Sequence, residues 1–347
     1  MLDKEFEYLA FDAQYILYRN FAALQGRTRY QCSAVLDDDE GDSTICHIIN
    51  KYEFSMQALV KQFFWSIGKL IRDDYGVHKI LLFWDTPPYI KCKWLPDYKG
   101  SRIHWCKEYL DEFDPEVEPQ EYLQAKEDLR VHEIFNEAKA WIQLNLRWLG
   151  MVSVWYPGYE ADDLAYIFSQ LMLDVDTNMK SAICSADSDW SYWISDKVEW
   201  INFNTREHWS YQDICEQNDN WTEKLGLTLF ELKTWLDSLM GSHNDIQYTS
   251  AVYSRNELDI IYNEVKKGIY DNITDKDLLE RNLKSFSIMD YPDIDKVKLK
   301  ILGSLKAGCL WDESCMNKMR RDGFLVSDNY IDTYYEQLSP EYYTDKP

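Results

Sequence analysis

The sequence predicts an α/β protein: a central, mostly parallel sheet flanked by helices, with a helical region on its C-terminal side. Three observations predict it. Short apolar runs fit buried strands at 6–12 (FEYLAFD), 79–85 (KILLFWD), 151–156 (MVSVWY), 181–187 (SAICSAD) and 198–204 (VEWINFN). Helical periodicity fills intervals between them, which is the strand–helix–strand order of parallel pairing. From about residue 225 the helical pattern continues without further strands.

The first run alternates, turns continuously apolar and ends at Asp12. Residues 50–75 set Phe54, Leu59, Phe63, Ile67, Leu70 and Ile71 on one side of a helix, with Gly76 where a C-terminal cap falls. The second strand ends at Asp85. Residues 87–120 lack clear periodicity and are long for a connection, which points to function or mobility. Within them YIKCKWLPDYKGSRIHWCK (89–107) sets Lys91, Lys93, Lys99, Arg102 and Lys107 against one acid, Asp97. The stretch that follows, EYLDEFDPEVE, is strongly acidic, so the basic island reads either as a solvated loop or as an anion-binding patch. Residues 121–149 read as a helix stopped at Gly150. The third strand leads into GYEADDLAYIF (158–168), whose helix carries the stripe Leu164, Ile167, Phe168, Leu171 and Met172. The fourth ends at Asp187, with Asp189 two residues on. VLDDDEGDST (35–44) reads as an acidic surface loop.

Composition bounds the function. At 347 residues and 46% hydrophobic, the chain builds one large domain or two ordinary ones. No apolar run approaches the roughly 18 residues of a membrane span. The N-terminus lacks a signal-peptide layout, so the expected address is cytoplasmic. The eight cysteines form no CxxC pair and read as reduced thiols. A net charge of −23 argues against a nucleic-acid partner on average, but binding depends on local patches such as the basic island.

Three strands thus end in aspartate (Asp12, Asp85, Asp187), and a fourth is followed by Glu160, Asp162 and Asp163. Ligands of open parallel sheets bind beyond the carboxyl ends of the strands, so these acids converge on one rim. Asp187 and Asp189, two apart, point the same way in extended chain. Glu160 and Asp163, three apart, share a helix face. The helix N-terminus contributes about 0.3–1 kcal/mol per carboxylate, too little to hold the group together. Singly, each acid also suits ordinary turn or capping chemistry. Together they require divalent cations such as Mg²⁺, which prefer carboxylate oxygen.

The motifs that carry these acids resemble those of the flap endonuclease superfamily, the structure-specific 5′-nucleases, and most of all the bacteriophage 5′→3′ exonucleases of the RNase H type. FDAQYILYRNF matches the opening motif through Asp12 and Arg19, and LLFWD supplies Asp85. WLPDYKGSR matches the Tyr-Lys-x-x-Arg segment through Tyr98, Lys99 and Arg102. GYEADDLAYIF and SADSDW match the Glu-Ala-Asp-Asp and Asp-x-Asp motifs, all in family order across about residues 1–200. Further on, LDSLMGSHNDIQYTSAV aligns Gly241 and Asp245 with the duplex-gripping helix–three-turn–helix element, but Ser242 replaces its first aspartate and the later glycines are missing.

The resemblance implies a PIN-like nuclease core at 1–224, with a helical arch or gateway at about 87–135. It implies a helical region at 225–347 with a divergent helix–three-turn–helix. It implies hydrolysis near 5′ ends of DNA, or of RNA–DNA hybrids, during replication, by two Mg²⁺ ions that Mn²⁺ can replace. The implied metal set is Asp12, Asp85, Glu160, Asp162, Asp163, Asp187, Asp189 and Asp245. Lys99, Arg102, Asp163 and Asp187 form the implied catalytic set. Arg19, Lys91, Lys93, Tyr98, Lys99 and Arg102 would touch substrate, Tyr98 by stacking on a terminal base for roughly 1–3 kcal/mol. The expected protein is a monomer in the cytoplasm, the host's if phage-encoded. Its expected partners are DNA with a 5′ flap, nick or free 5′ end, and replication proteins, for which the aromatic, acidic 329–347 segment is a docking candidate beside its reading as an ordinary tail. Two alternatives stand: a PIN-type ribonuclease, and an inactive structure-reading nucleic-acid-binding protein.

Overall fold

The strands sit where both of their faces can be buried. The structure, a computed structural model, describes residues 4–35, 55–73, 75–99, 107–114, 116–148, 150–175, 179–218, 220–240, 258–307, 317 and 319–322. Six strands form one sheet in the order β3-β2-β1-β4-β5-β6. They are β1 Lys4–Asp12, β2 Tyr75–Phe83, β3 Met151–Val154, β4 Ser181–Ser185, β5 Val198–Asn202 and β6 His208–Trp209. The first five run parallel, and β6 is antiparallel to β5.

Side chains alternate across the sheet, as a period of two requires. Leu9, Phe11, Ile80, Leu82 and Cys184 face one helical layer, while Ala10, Leu81, Phe83 and Ile183 face the other. The first layer holds α1 (Ala13–Val35), α2 (Met56–Asp73) and, after the short α3 (Tyr89–Trp94), the long α4 (Pro119–Asn145). The second holds α5 (Ala161–Asp174) and a C-terminal helix at Ile294–Lys306. Helical cover on both faces explains why the strands read as nearly continuous apolar runs. Between the layers' helices, α6 (Tyr211–Gln217), α7 (Trp221–Leu225), α8 (Leu229–Met240), α9 (Leu258–Lys266) and α10 (Lys276–Ser285) follow in order. A separate apolar cluster joins Trp221, Leu232, Leu236, Ile261 and Leu279 there. No described helix is long and apolar enough to cross a membrane.

Three local expectations change. Gly76 does not cap α2; it lies within β2, opposite Glu5 of β1. The helix at 13–35 was not legible, because the apolar spacing of its first half gives way to the polar run QGRTRYQ from Gln25. The two-residue edge strand β6 is too short to show a period. The acidic 35–44 loop, apart from Val35, and the 329–347 segment lie outside the described residues.

Topology fixes the site. From β1 the chain adds β2 and β3 on one side, then crosses to place β4 on the other, so the order reverses beside β1. Crevices open at the carboxyl ends of strands at such a reversal. Register sets the depth: Asp12 pairs with Phe83, and Phe83 with Val154.

Phe168 of α5 is fully buried, with its ring edge-on to Tyr8 at 6.4 Å and to Phe83 at 5.9 Å. Phe168→Ala is expected to cost about 3–5 kcal/mol in urea unfolding. A loss under about 1 kcal/mol would mean that α5 is not packed on the sheet as described.

Candidate metal centre

Each acid of the rim is placed by local chemistry. Asp12, the last residue of β1, accepts a hydrogen bond from the Tyr15 amide (2.9 Å) and one from the Ser185 hydroxyl (3.1 Å). Asp85 lies two residues beyond β2 and accepts from the Ala161 amide at 2.8 Å, which ties the β2 end to the start of α5. Thr86 strengthens that tie: its hydroxyl lies 2.9 Å and 2.8 Å from the Tyr156 and Tyr159 carbonyls. Gly158 is required in this turn, since φ is +87° and a Cβ would fall 2.7 Å from Tyr89 and 2.8 Å from Ile90. Glu160 is the N-cap of α5, and its amide donates to Asp163 at 2.9 Å. Glu160, Asp162 and Asp163 can each bring one carboxylate oxygen within 4.8 Å of the others.

Two lysines answer this crowding. Lys91, buried on α3, lies 2.7 Å from Glu160 and 2.9 Å from Asp163. Lys99 pairs with the other Glu160 oxygen, and the Tyr98 hydroxyl donates to Glu160 at 3.0 Å. Lys99 reaches its place through a left-handed backbone (φ 56°), a conformation that costs a non-glycine residue about 1–3 kcal/mol. Burial alone pushes Glu160 up, but Lys91 and Lys99 outweigh it and bring it down to about 2. Asp163 goes the other way, up to about 7, because burial and the charges of Asp162 and Glu160 exceed what Lys91 offers. Burial, then the neighbouring Asp85, raises Asp12 well above the carboxylate range. Burial also raises Asp85, with Glu160 adding to it, and raises Asp187.

Asp12, Asp85, Asp162, Asp187 and Lys99 line one cleft of 640 Å³ together with Gln14, Tyr15, Tyr18 and Trp190. Asp189 is not among them. The chain after β4 is not extended but turns through a 3₁₀ helix, Ser188–Tyr192, capped by Asp187 accepting from the Asp189 amide at 2.9 Å. That turn aims Asp189 at Lys233 of α8, 3.1 Å away, so the expected common direction of Asp187 and Asp189 is corrected. Lys91 is spent on the acids, where the basic island suggested a contact to substrate. Tyr98 packs on Leu95 and Phe286 beneath its bond to Glu160, which makes it a support for that acid and not an open stacking face. Lys93 is exposed on α3, and Arg19 is exposed with its guanidinium 5.3 Å from the Phe203 ring. Arg102 and Asp245 lie outside the described residues. Ser185 and Lys139 escaped the sequence reading. Ser185 braces both Asp12 and the Asp187 amide, and Lys139 of α4 donates to the Asp85 carbonyl at 3.0 Å. A serine two residues before a strand-end aspartate was the available signal for the first; nothing local marked the second.

The residues fit a divalent cation. Glu160, Asp162 and Asp163 offer hard carboxylate oxygens close enough together for one ion, and Asp162 opens on a cleft whose other acids, Asp12, Asp85 and Asp187, burial and neighbouring carboxylates make hard to ionise. A mostly parallel sheet with a carboxylate-walled crevice at its order reversal defines an α/β protein built to hold a cation at the carboxyl ends of its strands. Residues 7–222 match the family model described as "5'-3' exonuclease, N-terminal resolvase-like domain", and the chain belongs to that family. No curated protein matches the sequence. The crystal structure of a bacteriophage T5 protein co-crystallized with metal ions aligns with 86% of this chain and 100% of its own, at 16% identity and a TM-score of 0.53. That of a bacteriophage T5 flap endonuclease, in a pseudo-enzyme–product complex with DNA and metal ions, aligns with 87% and 100%, at 17% identity and a TM-score of 0.50. At such identity these two structures show a shared fold.

Two outcomes are expected. Lys91→Met leaves Glu160 and Asp163 buried without their cation and should cost about 3–5 kcal/mol in metal-free unfolding, partly regained in Mg²⁺. An unchanged stability would remove Lys91 from the charge balance. The second concerns pH. Asp163 titrates at about 7 in the folded state against about 3.9 unfolded, so metal-free stability falls as pH rises from about 4 to about 7. A cation held by the Glu160–Asp162–Asp163 group would take the ionised form, so Mn²⁺ affinity should rise about tenfold between about pH 6 and pH 8, with proton release on binding. Calorimetric titration in buffers of different ionisation enthalpy reads both, and a flat profile would refute the assignment.

Proposed function

We propose that this chain hydrolyses phosphodiester bonds near 5′ ends of DNA, as a 5′→3′ exonuclease or flap endonuclease that uses Mg²⁺, with Mn²⁺ able to replace it. The observation that carries the reading is the cleft itself. Acids from the ends of β1, β2 and β4 and from the α5 N-terminus meet there around an open space, with Lys99 on its wall. The fold shared with the T5 flap endonuclease that was crystallised with DNA and metal ions supports it.

A divalent ion held by Asp12, Asp85, Asp162, Asp187 and the Glu160–Asp163 turn would supply Lewis acidity to the phosphate and make water nucleophilic near neutral pH. The chain's own residues do the rest. Lys99 holds an ammonium at the cleft wall, anchored on Glu160, where an incoming phosphate meets positive charge instead of carboxylate. Ser185 and the Tyr15 amide fix both oxygens of Asp12, and the Ala161 amide fixes Asp85. These bonds keep the acids aimed before substrate arrives. Tyr15, Tyr18 and Trp190 give the cleft aromatic walls. Arg102 would join Lys99 on the phosphate, and Arg19 and Lys93 would reach more distant phosphates.

The same reading assigns residues 1–224 to a PIN-like nuclease core with an arch at about 87–135, and 225–347 to a helical region with a divergent helix–three-turn–helix-like DNA-binding element. It makes the protein a monomer of the cytoplasm, the host's if phage-encoded, working in replication and acting on flaps, nicks, free 5′ ends or the RNA of a hybrid.

One gel tests it: 5′-labelled flap, nicked duplex, hybrid and single-stranded RNA, each with Mg²⁺ or chelator. Native protein should cut DNA near the 5′ end only with metal. Asp163→Asn should abolish cutting, and Lys99→Ala should slow it about 10²–10³-fold. Equal cutting by native protein and Asp163→Asn, or cutting in chelator, would refute the proposal. Cutting confined to single-stranded RNA would favour a PIN-type ribonuclease.

A further inference from the structure

Beside the metal cleft lies a second crevice of 530 Å³, lined by Ser188, Asp189, Gln217, Asn218, Lys233 and Asp237 among others. Its acids come from separate elements: Asp189 from the turn after β4 and Asp237 from α8. The metal set that the family resemblance implies includes Asp189. In the structure the space between these acids holds a side chain. The Lys233 ammonium lies 2.6 Å from Asp237 and 3.1 Å from Asp189, and its side chain is 11% exposed. The ammonium also lies over the Tyr192 ring, 5.9 Å from its centre.

We propose that Lys233 is a built-in cation, an ammonium that takes the place of a divalent ion between Asp189 and Asp237, so that the native protein loads its metal only on the Asp12–Asp85–Asp162–Asp187 side. This deepens the nuclease reading and rests on it. The geometry is not that of an ordinary helix pair. Lysine precedes aspartate by four residues on α8, the weaker orientation for such a pair, and the ammonium also bridges to another element. An ammonium has three donors and no acceptor, so it satisfies two carboxylates at once and blocks the oxygens an ion would need. Being tethered, it is present at every metal concentration. Its single charge leaves the pair of acids a net negative crevice next to Asp187.

The test is a count of bound Mn²⁺ by electron paramagnetic resonance in native protein, Lys233→Ala and Asp189→Asn. Lys233→Ala should bind one more Mn²⁺ per chain than native protein, and Asp189→Asn the same number as native. No gain in a folded Lys233→Ala overturns the proposal. So does an ion lost from the native count in Asp189→Asn, which decides the matter even if Lys233→Ala does not fold. The nuclease reading fails separately: it falls if native protein binds no Mn²⁺ at all, or if Asp163→Asn cuts DNA like native protein.

Discussion

The architecture of the cleft depends on one buried ammonium. Two carboxylates about 4 Å apart repel by about 4 kcal/mol at an effective dielectric near 20. The start of a helix returns only about 0.3–1 kcal/mol per acid. Glu160 and Asp163 coexist in the interior because Lys91 stands between them. Lys91 is held in turn by α3, which packs through Ile90 and Tyr89 against the glycine turn that precedes Glu160. Charge balance and backbone geometry are therefore a single constraint. The turn can carry its acids only if α3 is docked, and α3 can bury its lysine only if the acids are there.

This divides the acids into two tiers. The inner tier, Glu160 and Asp163, is largely balanced by protein: Glu160 accepts from Lys91, Lys99 and Tyr98. The outer tier, Asp12, Asp85, Asp162 and Asp187, faces the cleft, where Lys99 is the one lining cation among the described residues. Burial, with neighbouring carboxylates adding to it, raises the proton affinity of Asp12, Asp85 and Asp187. The inner tier shapes the site and the outer tier leaves it short of positive charge, which is the condition for binding a hard cation.

Much of this was written locally, and what was not depends on tertiary contacts. The five parallel strands were legible because sheets buried on both faces impose long apolar runs. The convergence of Asp12, Asp85 and Asp187 on one cleft followed from strand polarity. Asp189 misled because a spacing of two means a shared direction only in extended chain, and the residues after Asp187 form a 3₁₀ turn. Lys91 and Tyr98 misled for another reason. A basic, aromatic stretch reads as an anion-binding surface, yet whether its lysine faces solvent or a buried acid is decided by a partner 69 residues away. Lys233 carried no signal for the same reason, since its defining neighbour is Asp189 on another element.

These engagements bear on how so acidic a chain meets a polyanion. With a net charge of −23, most of the surface repels DNA. Lys91, Lys99 and Lys233 offset only part of this near the cleft, because each is bound to carboxylates. On the nuclease reading, attraction for a phosphate then comes chiefly from the cation that the outer acids recruit, with Lys99 and the exposed Lys93 as auxiliaries. Metal loading and substrate binding become one electrostatic event: each ion that fills the outer tier removes repulsion and adds attraction at the same point. A protein built this way gains little from non-specific contact along duplex, and its affinity concentrates at the few phosphates that enter the cleft.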